Sequence, residues 1–144
     1  MGGLFVTIRS IPMSREEFER LVAEEWPEAI PEKFRAKVRN VAFFIEDEPS
    51  VALRREEHLG PHQTLLGHYR GIPHTARGDA YGIGNTLPDT ITLFQLPLMQ
   101  EAERMGGGEE NLRKAIRQTI WHEVAHHFGM DEWEVREREA KRDI

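Results

Sequence analysis

The sequence predicts an α+β domain: a small mixed sheet of about three strands packed on helices. Two observations predict it. Short apolar runs at residues 41–45, 64–72 and 90–94 have the length and the β-branched or aromatic content of strands. Around them lie stretches whose apolar residues recur at helical spacing, the longest at residues 109–128 in the C-terminal half. A chain of 144 residues fits one domain. We place it at residues 13–144, preceded by an extension, residues 1–12, of uncertain structure.

The first helix begins at Ser14, a good N-cap, with Glu17 completing a capping box. Met13 and Phe18 are spaced for a hydrophobic staple. Phe18, Leu21, Val22 and Trp26 fit the helical period, and Pro27 is expected to end it. Pro31 opens a second short helix. Residues 41–45 form a continuous apolar run, which predicts a strand buried on both faces. Residues 50–60 are polar and give no clear element. Residues 64–72 form a second strand broken by two glycines, and residues 73–88 hold enough Gly, Pro and Asn for a long loop or hairpin. Residues 90–94 form a third strand. Pro97 starts a helix to about Met105, and Gly106-Gly107-Gly108 reads as a flexible break and hinge. On the next helix Leu112, Ala115, Ile116, Ile120, Val124 and Phe128 form the apolar stripe. The charged stretch from Asp131 to about Arg142 predicts a short exposed helix.

Composition narrows the chemistry. The chain has no cysteine, which excludes disulfides, thiolate metal sites and cysteine nucleophiles. A net charge of −6 and the lack of a dense basic run argue against nucleic acid as a partner. No segment approaches the 18 or more apolar residues of a membrane span. The N-terminus lacks the basic region of a secretory signal, and Val6 stands where the myristoylation pattern needs Ser or Thr. The expected location is the cytoplasm, with no membrane partner.

One stretch carries a reaction. Residues 122–132 read H-E-x-x-H-x-x-G-x-x-E. His122 and His126, four residues apart, share one helix face and can reach one tetrahedral metal ion. Glu123 is then placed to take a proton from water at that metal. Gly129 accepts the left-handed conformation that lets the chain leave the helix sharply. The full spacing arises by chance on the order of once in a thousand such chains. On a helical wheel His122 and His126 fall at the margin of the apolar stripe, on the side of the small residues Ala115 and Thr119, which predicts a cleft there. The third ligand is open between Glu132 and Asp131. Asp131 suits the N-cap of the following helix, with Glu134 at N3. That favours Glu132, with Glu134 and Glu137 as outside choices on an Arg-paired face. His127 points about 100° away from His126, and Trp121 reads as core. His58, His62, His68 and His74 are scattered surface candidates. His68 and Tyr69 are weak candidates for stabilising an oxyanion.

This motif resembles that of metzincin-type zincins, with an acidic residue for the usual third His. The wider pattern resembles the small bacterial family of minimal zincins, or zincin-like metallopeptidases. It takes in the helix start at residues 14–18, the apolar strand with its acidic end at 41–49, Gly71-Ile72-Pro73, residues 90–93 and residues 122–132. The resemblance implies a compact zincin-like fold with the sheet over the motif helix, and one Zn²⁺ per chain on His122, His126 and Glu132. It also implies a base role for Glu123 and a peptide or protein substrate. The family usually has Asp where Glu132 stands, and no Met follows Glu132 to make the Met-turn of larger metzincins.

The leading expectation is therefore a zinc-dependent metallopeptidase, with residues 90–94 as the sheet edge that receives an extended substrate. A non-catalytic metal-binding or partner-binding module of the same fold is the alternative. A metal-dependent RNA hydrolase shares the H-x-x-x-H-x-x-x-x-x-H spacing of one endoribonuclease family. The acidic third position, the Glu after the first His and the net charge all argue against it.

Overall fold

The capping box at Ser14 forms as the spacing requires. The Glu17 amide donates to Ser14 Oγ at 3.0 Å, and the Ser14 amide donates to Glu17 Oε1 at 3.3 Å. In the computed structural model, which describes residues 13–35, 38, 40–71 and 87–129, this starts helix α1 (Arg15–Ala29). There follow α2 (Glu32–Arg35), β1 (Val41–Glu46), α3 (Val51–Glu56), β2 (Gly67–Arg70), β3 (Asp89–Phe94), α4 (Gln95–Arg104) and α5 (Glu109–His127). The α+β class and the three-stranded mixed sheet are as expected.

Pro27 does not end α1, which continues to Ala29. Proline's fixed φ suits a helix, and its missing amide costs one bond near a terminus. Arg35 serves the end of the helix: its guanidinium donates to the carbonyls of Pro27 at 2.6 Å and Ile30 at 3.1 Å. Those carbonyls lie where a helix end leaves acceptors without intrahelical donors.

The strand order is β1-β3-β2, with β1 parallel and β2 antiparallel to β3. Two expectations change. Among the described residues, 41–45 lie on an edge strand, and they are not buried on both faces: Phe44 is 52% exposed. Residues 90–94 belong to the central strand, so their backbone is paired on both sides and offers no edge to a substrate. Ile91 and Leu93 are fully buried. The edge beside α5 is β2, for which β3 is the partner among the described residues.

Within the stretch left unassigned by pattern, residues 51–56 form α3, capped by Ser50, whose side chain accepts from the Leu53 amide at 3.1 Å. The three glycines after α4 form a hydrogen-bonded reversal rather than an open hinge. Their φ values are +121°, +80° and +87°. The Gly107 amide donates to Ala102 O at 2.7 Å, and Asn111 Nδ2 donates to Gly107 O at 2.8 Å.

Helix α5 packs against α1, α4 and β2. Leu112, Ala115, Ile116, Ile120 and Val124 are buried as the stripe requires, joined by Trp121, which is fully buried. A polar cluster also joins α1 to α5. Glu25, 8% exposed, accepts from Arg113 and Arg117, each at 2.7 Å. Arg113 also meets Glu24 at 2.8 Å and Glu109 at 3.0 Å. Burial pushes the Glu25 carboxyl up, but the bonds from Arg117 and Arg113 outweigh it and hold the pKa below the usual carboxylate range. The stabilisation is therefore present above the unfolded pKa of about 4.3 and is lost as pH falls through the lower folded value. Glu25→Gln should cost about 1–2 kcal/mol at pH 7. Urea unfolding should show the gap to wild type narrowing as pH falls below the usual carboxylate range; a gap independent of pH would rule this ion pair out as the cause.

Among the described residues no helix is long and apolar enough to cross a membrane. The N-terminal extension, residues 72–86, Asp131, Glu132, Glu134, Glu137 and the expected last helix lie outside the described residues.

Candidate metal centre

His122, Glu123 and His126 lie in the last two turns of α5. Their i, i+1, i+4 spacing puts the two imidazoles one above the other, with ring centroids 5.5 Å apart. Two imidazoles on one tetrahedral zinc, with Zn–N of about 2.0–2.1 Å, have centroids about 5 Å apart. The separation of the two rings is thus close to what a shared ion requires. Paired imidazoles on one helix, in a chain without cysteine, belong to the donor sets of catalytic rather than thiolate-built structural zinc sites.

The helix ends where the motif needs it to end. The Phe128 amide donates to Val124 O at 3.1 Å, the Gly129 amide donates to His126 O at 3.0 Å, and Gly129 has φ +85°. That is the left-handed exit expected of Gly129. Glu132 and Asp131, the alternative third ligands, follow outside the described residues.

A cleft of about 350 Å³ opens beside α5, lined by residues 64–67, Glu101, Ala115, Gln118, Thr119, His122 and Glu123. The small side chains Ala115 and Thr119 leave this space, as the wheel predicts, but of the two histidines expected to face it only His122 lines it, and His126 is exposed. The close seating of β2 forms its opposite wall. A Cβ on Gly67 would lie 2.8 Å from Thr119 Cγ2.

Glu123 is more enclosed than a solvated helix face allows. Burial pushes its carboxyl above the usual carboxylate range, against the lowering effects of the Tyr69 amide and of His126 and His122. The Tyr69 amide donates to Glu123 Oε1 at 3.0 Å. A backbone donor of this kind leaves no mark in a motif. Tyr69, singled out as an oxyanion candidate, instead commits its hydroxyl to Asp89 Oδ2 at 2.7 Å and stacks its ring on His127.

His68 points to the other side of β2, as alternation along a strand requires. With Glu56 and Glu57 it forms a second group whose ligand atoms lie within 4.8 Å of one another. Arg70 already sits on Glu56 at 2.9 Å and supplies positive charge there. His58 and His62 are exposed, and His74 lies outside the described residues.

The family model described as zincin-like metallopeptidase matches residues 38–142. No curated protein matches the chain significantly. A solved structure described as a conserved hypothetical protein from Thermus thermophilus is 25% identical, with a TM-score of 0.49. The match covers 80% of this chain and 94% of that one.

Proposed function

We propose that this chain, which belongs to the zincin-like metallopeptidase family, hydrolyses peptide bonds at a zinc site with Glu123 as general base. His122 and His126 would hold the metal, with Glu132 as third ligand. The observation that carries the reading is the placing of Glu123. Glu123 lines the cleft with His122, and its carboxylate is shielded by burial and anchored by a backbone amide.

A bound zinc supplies a Lewis acid for the scissile carbonyl and lowers the pKa of water there to about 7. The chain's own residues do the rest. Glu123, near His122, removes a proton from the attacking water and later returns it to the leaving amine. Residues 64–67 and α5 form the two walls between which an extended peptide would lie, with β2 as the nearest strand edge.

The test is cleavage of a mixed peptide library by the purified chain, with and without a chelator. Cleavage abolished by the chelator and restored by Zn²⁺ supports the reading. One bound Zn²⁺ per chain without turnover would instead assign a non-catalytic metal-binding module. Metal titration of two variants separates the third-ligand alternatives. Glu132→Ala should lose affinity more than tenfold while Asp131→Ala stays near wild type; the reverse order would transfer the ligand role to Asp131.

A further inference from the structure

Among the described residues, three contacts hold Tyr69. Its amide donates to Glu123 Oε1 at 3.0 Å. Its hydroxyl donates to Asp89 Oδ2 at 2.7 Å. Its ring stacks on His127, with centroids 3.9 Å apart and planes inclined by 21°. His127 Nε2 also approaches Asp89 Oδ2, at 3.8 Å. The His127 ring has room because Gly71 carries no side chain; a Cβ there would lie 2.8 Å from His127 Cε1.

These contacts join three elements. Asp89 opens β3, Tyr69 is the third residue of β2, and His127 ends α5. The Asp89 side chain is only 16% exposed, so water competes weakly for its oxygens. The location matters because β2 has four residues and, among the described residues, lies at a sheet edge, where strand ends open most readily. Opening of its C-terminal end would carry the Tyr69 amide away from Glu123. The contacts secure the residue that holds that amide.

We propose that Tyr69, Asp89 and His127 form a clamp that positions Glu123 through the Tyr69 amide, with Asp89 as the positioning residue. The geometry stands without the hydrolytic reading, but the consequence for rate rests on it. Asp89 acts through Tyr69 and does not meet the substrate. Asp89→Asn keeps an acceptor for the Tyr69 hydroxyl, whereas Asp89→Ala removes it. Tyr69→Phe removes the hydroxyl and keeps the ring on His127.

The experiment measures amide hydrogen exchange by NMR in the full chain, together with kcat and KM for a peptide cleaved by wild type. In Asp89→Ala and Tyr69→Phe, exchange at residue 69 should rise about tenfold. The Phe94 amide, which donates to Leu66 O at 3.0 Å and reports β2–β3 pairing, should stay at its wild-type rate. In both variants kcat should fall about tenfold with KM within twofold, and Asp89→Asn should restore exchange and kcat. Unchanged exchange at residue 69 in Asp89→Ala overturns the clamp. An equal rise at Phe94 also overturns it, because Asp89 would then merely hold the strands together. Raised exchange at residue 69 with unchanged kcat overturns the link to Glu123. If wild type cleaves no peptide while exchange follows the expected pattern, the hydrolytic reading fails and the clamp stands.

Discussion

Glu123→Gln should bind zinc like the wild type and hydrolyse peptides 10²- to 10⁴-fold more slowly, the usual contribution of a positioned general base. The substitution removes one function and little else. Glutamine matches glutamate in shape, and its carbonyl oxygen can still accept from the Tyr69 amide, which lies 3.0 Å from Glu123 Oε1. His122 and His126 keep their places on α5 because the change is isosteric and leaves the buried stripe intact. What is lost is a group able to take and return a proton. Zinc content, circular dichroism and single-turnover rates should be measured on the same preparations. A variant that folds, holds one zinc and keeps more than a tenth of the wild-type rate would remove Glu123 as the base. A variant that loses zinc would show that Glu123 supports the metal site itself.

Features carried by nearby residues were legible in the sequence. The Ser14–Glu17 capping box, the stripe on α5, the i, i+4 histidines and the exit at Gly129 each depend on residues within one or two helical turns. The margin position of His122 followed from the same periodicity, and the cleft beside Ala115 and Thr119 is where it pointed. Sheet order was not legible, because it depends on pairings between distant residues. Residues 41–45 and 90–94 are both short apolar runs, and nothing local says that the second is central and the first an edge. The expected substrate edge was misplaced for that reason. The anchor on Glu123 was hidden for another: every non-proline residue has an amide, so its use at residue 69 is set by tertiary position. Asp89, between Pro88 and Thr90, showed no pattern at all. Pro27 was read as a stop, but its fixed φ is helical and the helix runs on to Ala29, where Arg35, eight residues on, serves the end carbonyls.

Gly67→Ala should destabilise the chain by about 2–3 kcal/mol, the upper part of the overpacking range. The reason is steric contact on three sides. The new methyl carbon would lie 2.8 Å from Thr119 Cγ2, 3.2 Å from Leu93 Cδ2 and 3.2 Å from the Thr92 carbonyl oxygen. Two of these neighbours resist movement. Thr119 is β-branched on a helix and has few side-chain rotamers, and the Thr92 oxygen is backbone of the central strand. Relief would come by displacing β2 from α5, the movement that would also withdraw the Tyr69 amide from Glu123. Thermal unfolding should show a fall of roughly 6–10 °C for a chain of this size. Thr119→Ser identifies the contact responsible, since it deletes the methyl group that the alanine would strike. On the wild-type background that deletion should cost about 1 kcal/mol for one buried methyl. On the Gly67→Ala background it should recover about half of the loss. The double-mutant cycle should therefore show a favourable coupling above about 1 kcal/mol. Simple additivity would mean that β2 is not seated on Thr119 and that another contact fixes the width of the cleft.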